Sequence, residues 1–387
     1  MIDKVIPYGH QYISDEDIQA VVDTLKSDYL TCGPAIPAFE KDFCDYVHVE
    51  HSVAVSNATA ALHIAAMALG VQPGDNVICT PLTFASSANC IRFCGGNVKF
   101  VDINPETYLL DIDKLKEVLA ASPKGTYKGM VLVDFAGYPF NMEEYRKVAD
   151  EYGMWILEDA CHAPGAWFTN GAGEKVYTGS CRYSDITVFS FHPVKHITTG
   201  EGGMACTNDD NLYEKMALYR THGITHEADQ MDRQDGPWYY EMQELGYNYR
   251  LTDFQAALGS SQLKRARHNV ELRRELVKKY NDAFANIDGI KTPYEASDVY
   301  HAYHLYIIQV EDRLGLYNFL RENKIHAQVL YYPLNLMPYY KQFGNKEGDL
   351  PVVEEYYKHC LALPMFPTLT EEEQQYIISK VKEFICK

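Results

Sequence analysis

Residues 189–203 read FSFHPVKHITTGEGG, and one lysine among them, Lys195, stands just past an apolar run. Ile186, Thr187, Val188 and Phe189 are β-branched or aromatic, which reads as a buried strand of a parallel sheet. Such sheets place their chemistry beyond the carboxyl ends of their strands, and Lys195 falls there. Gly200, Gly202 and Gly203 supply a backbone that can turn sharply and approach a ligand closely. A single loop lysine beside a turn is usually only a solvated side chain. Its meaning therefore depends on what the other strand ends carry.

Working outward, short β-rich runs alternate with helical patterns from residue 51 to 208. Seven runs stand out: 52–56, 76–80, 98–103, 130–135, 155–158, 186–191 and 203–207. Helical segments lie near 58–69, 84–94, 111–120 and 141–152. This alternation predicts an α/β fold whose largely parallel, seven-stranded sheet is covered on both faces. Ahead of it, Ser14 is a cap candidate followed by Asp15, Glu16 and Asp17 in a first turn, suiting an arm and a packing helix. After 250, Thr252 reads as the cap of one long helix, with Leu276, Tyr280, Phe284 and Ile287 on its apolar face. Strand 304–310, helix 314–323, strand 327–331 and a helix from Glu371 then predict a smaller C-terminal α/β domain. The expected division is 1–250, an arm and large domain, and 251–387, a connecting helix and small domain.

Four strand ends carry candidate chemistry. The first closes in Ser56-Asn57-Ala58-Thr59 and opens a helix, whose free amides and partial positive charge suit a phosphate, with the Thr59 hydroxyl added. Ser, Asn and Thr are also ordinary capping residues. The strand 155–158 leads to Asp159 and His162. A carboxylate at that position can pair with a protonated ring nitrogen, as pyridoxal phosphate requires, or simply order a turn. His162 suits packing near a ring, a sugar contact or a satisfied core position. Phe84 follows a third strand and can stack on a planar cofactor or belong to the core. Ser190 precedes Lys195 by five residues and can donate to the same phosphate. Each signal is weak alone, but phosphate cradle, stacking ring, acid and amine arrive in order along one sheet.

Composition narrows the partners. The 387 residues are 47% hydrophobic, enough for a large core, and the formal net charge is -18. That charge argues against a nucleic-acid or anionic-membrane surface, so an anionic ligand must meet local donors. The 10 cysteines show no paired framework and no CxxC or HExxH spacing, as expected for reduced thiols in a cytoplasmic protein without a metal site. A polar start at Asp3 and Lys4 gives no signal-peptide pattern, and Ser56, Asn57, Thr59 and His63 break the most apolar run. The 30 tyrosines suit half-buried walls and interfaces.

The succession SNAT (56–59), TFASSAN (83–89), EDACHA (158–163), SFHPVKHITTGEGG (190–203) and ELGYNYRLTDFQAALG (244–259) resembles the DegT/StrS group of sugar-nucleotide aminotransferases over nearly the whole chain. The resemblance implies the aspartate-aminotransferase fold (fold type I) and the cofactor pyridoxal 5′-phosphate. It also implies Lys195 as the lysine that joins the cofactor as a Schiff base, Asp159 as partner of the pyridine nitrogen and Phe84 as the stacking ring. Ala58, Thr59 and Ser190 are implied at the phosphate, His162 near the ring, and Asn248 at the phosphate of a neighbouring subunit in a homodimer with shared sites. Within the group, IPYGHQ (6–11) and GPWYYEMQELGYNYR (236–250) are most similar to enzymes of the pseudaminic acid pathway. Those move an amino group from L-glutamate to C4 of a UDP-linked 4-keto-6-deoxy-N-acetylhexosamine.

Two departures stand out: Cys32 replaces an expected glutamine in LTCGP, bearing on the sugar pocket, and SNAT replaces NSAT while keeping Ala58-Thr59. Rival expectations are a sugar 3-aminotransferase, a 4-aminotransferase acting on another nucleotide-linked keto sugar, a dehydratase of the same group and a non-catalytic sensor. By resemblance a dehydratase carries histidine where this chain has Lys195, and the intact lysine and acid argue against a sensor. No GxGxxG follows the first strand, which disfavours a nucleotide-binding oxidoreductase.

Overall fold

The computed structural model describes residues 4–386; Asp3 lies outside them. All seven expected runs form strands of one sheet: β1 (His51–Val55), β2 (Asn76–Cys79), β3 (Asn97–Phe100), β4 (Tyr127–Val133), β5 (Trp155–Asp159), β6 (Ile186–Ser190) and β7 (Gly203–Thr207). Their order is β1-β7-β6-β5-β4-β2-β3. Only β7 runs against its two neighbours, β1 and β6, and every other pairing is parallel. The sheet is thus mostly parallel, and the ends of β1, β5 and β6 come out on one side.

Alternate residues explain why both faces are covered. Ile78, Met130, Leu132 and Ile156 enter one buried cluster, while Val77, Cys79, Val131, Leu157, Ile186 and Val188 enter another. A period of two with apolar residues at both phases leaves no solvent face. Helix Ala58–Ala68 lies among the second set and is almost wholly buried, so its N-terminus is fixed at the end of β1. Gly203 is needed for that approach: a Cβ there would stand 2.7 Å from the Ala58 amide nitrogen.

At the N-terminus, the expected helix spans Asp15–Leu25. Ser14 and Asp17 form a reciprocal capping box, an arrangement that contributes about 1 kcal/mol. Asp17 is fully buried and ion-paired to Arg265, with Gln262 donating to it at 2.7 Å. This contact accompanies one correction. The single helix expected after Thr252 is two, Asp253–Leu263 and Ala266–Phe284, with Ile287 beyond them. The chain tightens where the Arg265 amide bonds the Gln262 carbonyl at 3.2 Å and both side chains reach Asp17. No Gly or Pro marks the break, so the sequence pattern carries no trace of it.

The C-terminal region needs a second correction. Strand Tyr306–Gln309 pairs with Cys360–Leu363, an antiparallel partner absent from the sequence reading, and 327–331 forms no strand. Only Gln328 bridges to Ala362, after which the chain leaves the edge and Tyr331 packs near Phe84 and Phe135. Helices Arg313–Glu322 and Glu371–Ile385 cover this small sheet around Leu316, Leu320, Ile377 and Val381. Ile6 is buried in the same cluster and bridges Ile325, so the start of the chain is tied to its end. No helix among the described residues is long and apolar enough to cross a membrane.

Candidate active site

Lys195 sits in the turn after β6. Its amide donates to the His192 carbonyl at 2.9 Å, while Thr198 Oγ1 and the Thr199 amide both donate to the Phe191 carbonyl. The Lys195 Nζ lies 3.5 Å from Nε2 of His304. Burial pushes its pKa down to about 8, against the upward pull of Cys161 and Asp159. A lysine so placed is about a tenth neutral at pH 7, where an ordinary surface lysine is almost wholly charged.

Asp159 ends β5, next to β6, and is buried. One carboxylate oxygen accepts the Ser87 hydroxyl at 2.6 Å, and the other accepts the Cys161 amide at 3.2 Å. A carboxylate offers about four acceptor directions, so two donors fix its orientation and leave capacity for a third. Ser87 is itself held by Thr83, 2.6 Å away, at the start of helix Ser86–Phe93. His162 is buried, and its Nδ1 accepts the Ala136 amide at 3.2 Å, which puts its proton on Nε2. Burial holds its pKa well below the usual histidine range.

The β1 end opens directly into the N-terminus of helix Ala58–Ala68. Asn57 caps the helix by accepting the Ala60 amide at 2.9 Å, and its carbonyl takes the Ala61 amide. The Ala58 and Thr59 amides have no acceptor among the described residues, so they remain available at the positive end of the helix dipole. Ser190 closes β6, its Oγ accepting the His192 amide at 3.3 Å. Phe84 is 60% exposed, unusual for a large ring beside so buried a centre, and its nearest ring is Tyr331 at 6.2 Å.

Asn248 lies apart from these residues in kind. Its backbone bridges Thr221, and the next residue's carbonyl accepts the Ser56 amide at 2.8 Å, so its strand-like segment runs beside the β1 end. Its side chain is exposed and has no partner among the described residues. The capping role it could have played belongs to Gln255, whose Oε1 accepts from both the amide and hydroxyl of Thr252. Cys32 occupies an exposed turn at φ 56, next to Gly33, whose amide donates to Asp253.

Sequence reasoning missed Ser87, Tyr331, Arg273 and His304. Ser87 stood inside a quoted motif, and a hydroxyl in the first helical turn after a strand end was its available signal. His304 and Tyr331 come from more than 100 residues downstream, where nothing local marks them.

Two unclaimed amides, hydroxyls at Thr59 and Ser190, an oriented acid, an exposed ring and a lysine of lowered pKa fit pyridoxal phosphate, group for group. The chain matches the DegT/DnrJ/EryC1/StrS aminotransferase family over residues 11–382 and belongs to it. It is a pyridoxal-phosphate-dependent sugar aminotransferase. Among its relatives it is 38% identical to the spore coat polysaccharide biosynthesis protein SpsC of Bacillus subtilis, covering 98% of this chain and 97% of that one. It is 34% identical to a UDP-4-amino-4,6-dideoxy-N-acetyl-beta-L-altrosamine transaminase of Campylobacter jejuni, covering 99% and 100%. Its structure is similar to Helicobacter pylori PseC, an aminotransferase of pseudoaminic acid biosynthesis, with a TM-score of 0.89, 29% identity and 99% of each chain covered.

Proposed function

We propose that this chain aminates C4 of a UDP-linked 4-keto-6-deoxy-N-acetylhexosamine with L-glutamate as donor, in the cytoplasm, as a homodimer with shared sites. The observation that carries the reading is the juxtaposition of Lys195 with Asp159 at neighbouring strand ends, joined to a helix N-terminus with free amides. Likeness to the Campylobacter transaminase and to PseC supports the choice of sugar.

In this reading the Ala58 and Thr59 amides and the hydroxyls of Thr59 and Ser190 hold the cofactor phosphate. Asp159 would hold a negative charge for the pyridine nitrogen, Phe84 would stack on the ring, and His162 would pack near it. Bound there, pyridoxal phosphate supplies the electron sink that makes a carbon next to nitrogen acidic. Lys195 would take the proton from the glutamate α-carbon and hold it as an ammonium until it is handed on. In the second half-reaction it delivers a proton to the sugar C4, which sets the configuration of the new amine.

The dimer reading rests on the outer surface. Trp238, Met242 and Leu245 are 74%, 64% and 72% exposed, a run of large apolar side chains with Asn248 a few residues on. Such a patch suits burial against a second copy, with Asn248 donating its amide to the partner's phosphate. The chain division at 250/251 belongs to the same reading, since Trp238–Arg250 then stays with the large domain.

Product analysis by mass and NMR, using UDP- and dTDP-linked keto sugars, tests the assignment. A C4 amine formed on the UDP-linked N-acetyl sugar is the expected result. A C3 amine, or a clear preference for a dTDP sugar, would overturn it.

A further inference from the structure

The lysine is contacted by a histidine that plays no part in the reading above. His304 Nε2 stands 3.5 Å from the Lys195 Nζ. At pH 7 Lys195 is mostly the ammonium, which can only donate, so Nε2 accepts and the neutral ring carries its proton on Nδ1. His304 is 5% exposed, and its Nδ1 has no partner among the described residues. Burying an N–H without an acceptor costs about 1–3 kcal/mol. The fold therefore sustains this ring against a local penalty.

Its backbone is held as firmly as its ring. Arg273, fully buried in helix Ala266–Phe284, donates from Nη1 to the carbonyls of Tyr303, His304 and Met365 at 3.2–3.3 Å. Arg273 makes no ion pair with a carboxylate among the described residues, so its charge is met by these carbonyls. On either side of His304, the Ala302 amide donates to the Gly137 carbonyl and the Leu305 amide to the Ala136 carbonyl. The imidazole is flanked by His162 at 4.4 Å and His196 at 5.7 Å between ring centroids. A segment from the far end of the sequence is thereby clamped so that one lone pair meets the lysine.

We propose that His304 is a further catalytic residue, a fixed neutral acceptor that holds one N–H of Lys195 and so aims the amine while it carries its proton between carbons. The inference rests on the proposed role of Lys195. During transfer, the substrate C–H bond breaks and a third N–H bond forms on Lys195, giving an ammonium. His304 accepts one of the other N–H groups and takes no proton. The N–H just formed then breaks as the proton passes to the second carbon; the electron pair of the broken C–H bond would be held by pyridoxal phosphate and would form the new C–H bond, so charge and atoms balance. Arg273 is a positioning residue that acts through the His304 backbone.

The charged and titratable groups around the pair support a neutral ring. Lys195 faces Asp159, Cys161 and Arg273, and His304 faces Lys195, His162, His196 and Arg273. Burial first, then the charge of Lys195 and the neighbouring His162, His196 and Arg273, hold His304 well below the usual histidine range. An acceptor at Nζ stabilises the ammonium, so removing it should lower the Lys195 pKa further.

The test compares His304→Leu with His304→Gln, which retains an acceptor oxygen. In the cofactor-free protein, competitive acetylation read by peptide mass gives the pH at which Lys195 titrates. In the loaded enzyme, single-turnover rates with α-deuterated and ordinary glutamate isolate proton transfer. The expected results for Leu are a lower Lys195 titration, a rate reduced about tenfold or more and a larger isotope effect, with Gln recovering part of each. Thermal melting of the Gln variant separates folding from chemistry. Unchanged Lys195 titration, rate and isotope effect in a folded Leu variant would overturn the inference. If Lys195→Ala also remained active, the proposed function would fall; if only His304 proved indifferent, that function would stand without it.

Discussion

Around Lys195 the side chains are oriented by one another: Ser87 and the Cys161 amide fix Asp159, and His304 reaches the amine. Around the β1 end, amides stand free, Asn248 has an unpartnered side chain and large apolar side chains face outward. The inner corner is tied together by hydrogen bonds, and the outer one carries donors without acceptors among the described residues. If the proposed roles hold, the difference teaches that proton transfer and phosphate binding are built to different tolerances. A base must be aimed by rigid neighbours, while an anion can be gripped by donors assembled later.

The sharpest way to break this comparison is at the inner corner. Lys195→Ala should abolish transamination, with a loss above the about 10²- to 10⁴-fold typical of a general base, because the covalent link is also removed. Steady-state assay decides it, and a variant retaining a tenth of wild-type turnover would refute the role. Asp159→Asn should keep its Ser87 contact and still bind the cofactor, yet slow the glutamate half-reaction about 10²-fold or more. Stopped-flow rates equal to wild type would make Asp159 purely structural.

At the outer corner, Asn248→Ala should weaken cofactor retention about tenfold, the value of one hydrogen bond to a charged group. Mixing it with Lys195→Ala sharpens the contrast. If Asn248 acts across the interface, each heterodimer has one site with both lesions and one with neither, and the intact site restores activity. If Asn248 serves its own subunit, heterodimers gain nothing over the summed parents. Subunit exchange confirmed by mass makes either result decisive.

The smallest effect is on stability. The Lys195 pKa falls from 10.5 to about 8 on folding, so between those values the unfolded chain binds the extra proton and stability rises with pH. Below about 8 both states are protonated, and the folded state carries the full penalty of a buried ammonium. Replacing it by Met should therefore stabilise the cofactor-free protein at pH 7, by a few kcal/mol at most, and the gain should fade as pH approaches 10.5. Melting curves of the two proteins across that range provide the check.

What could be read from the sequence follows the same division. The seven strands were legible because buried parallel strands need uninterrupted β-branched and apolar runs, and Lys195, Asp159 and Ala58-Thr59 were legible because strand ends locate them. The partner strand Cys360–Leu363 was not, since Cys-Leu-Ala-Leu follows a helix without a turn signal or a β-branched residue. The break at Arg265 was hidden because a tertiary contact to Asp17 accompanies it. His304, Arg273 and Tyr331 were hidden for the same reason. Their positions beside the site depend on how distant segments pack, and no local pattern encodes that.

The central claim, that Lys195 is the residue that bonds the cofactor, can be tested directly by reducing the loaded protein with sodium borohydride and mapping the pyridoxyl group by peptide mass. The account predicts the added mass on Lys195, in the peptide containing FHPVKHITTGEGG, and its absence in Lys195→Ala. The pyridoxyl group on another lysine, or no stable adduct in a protein that still transaminates, would contradict it.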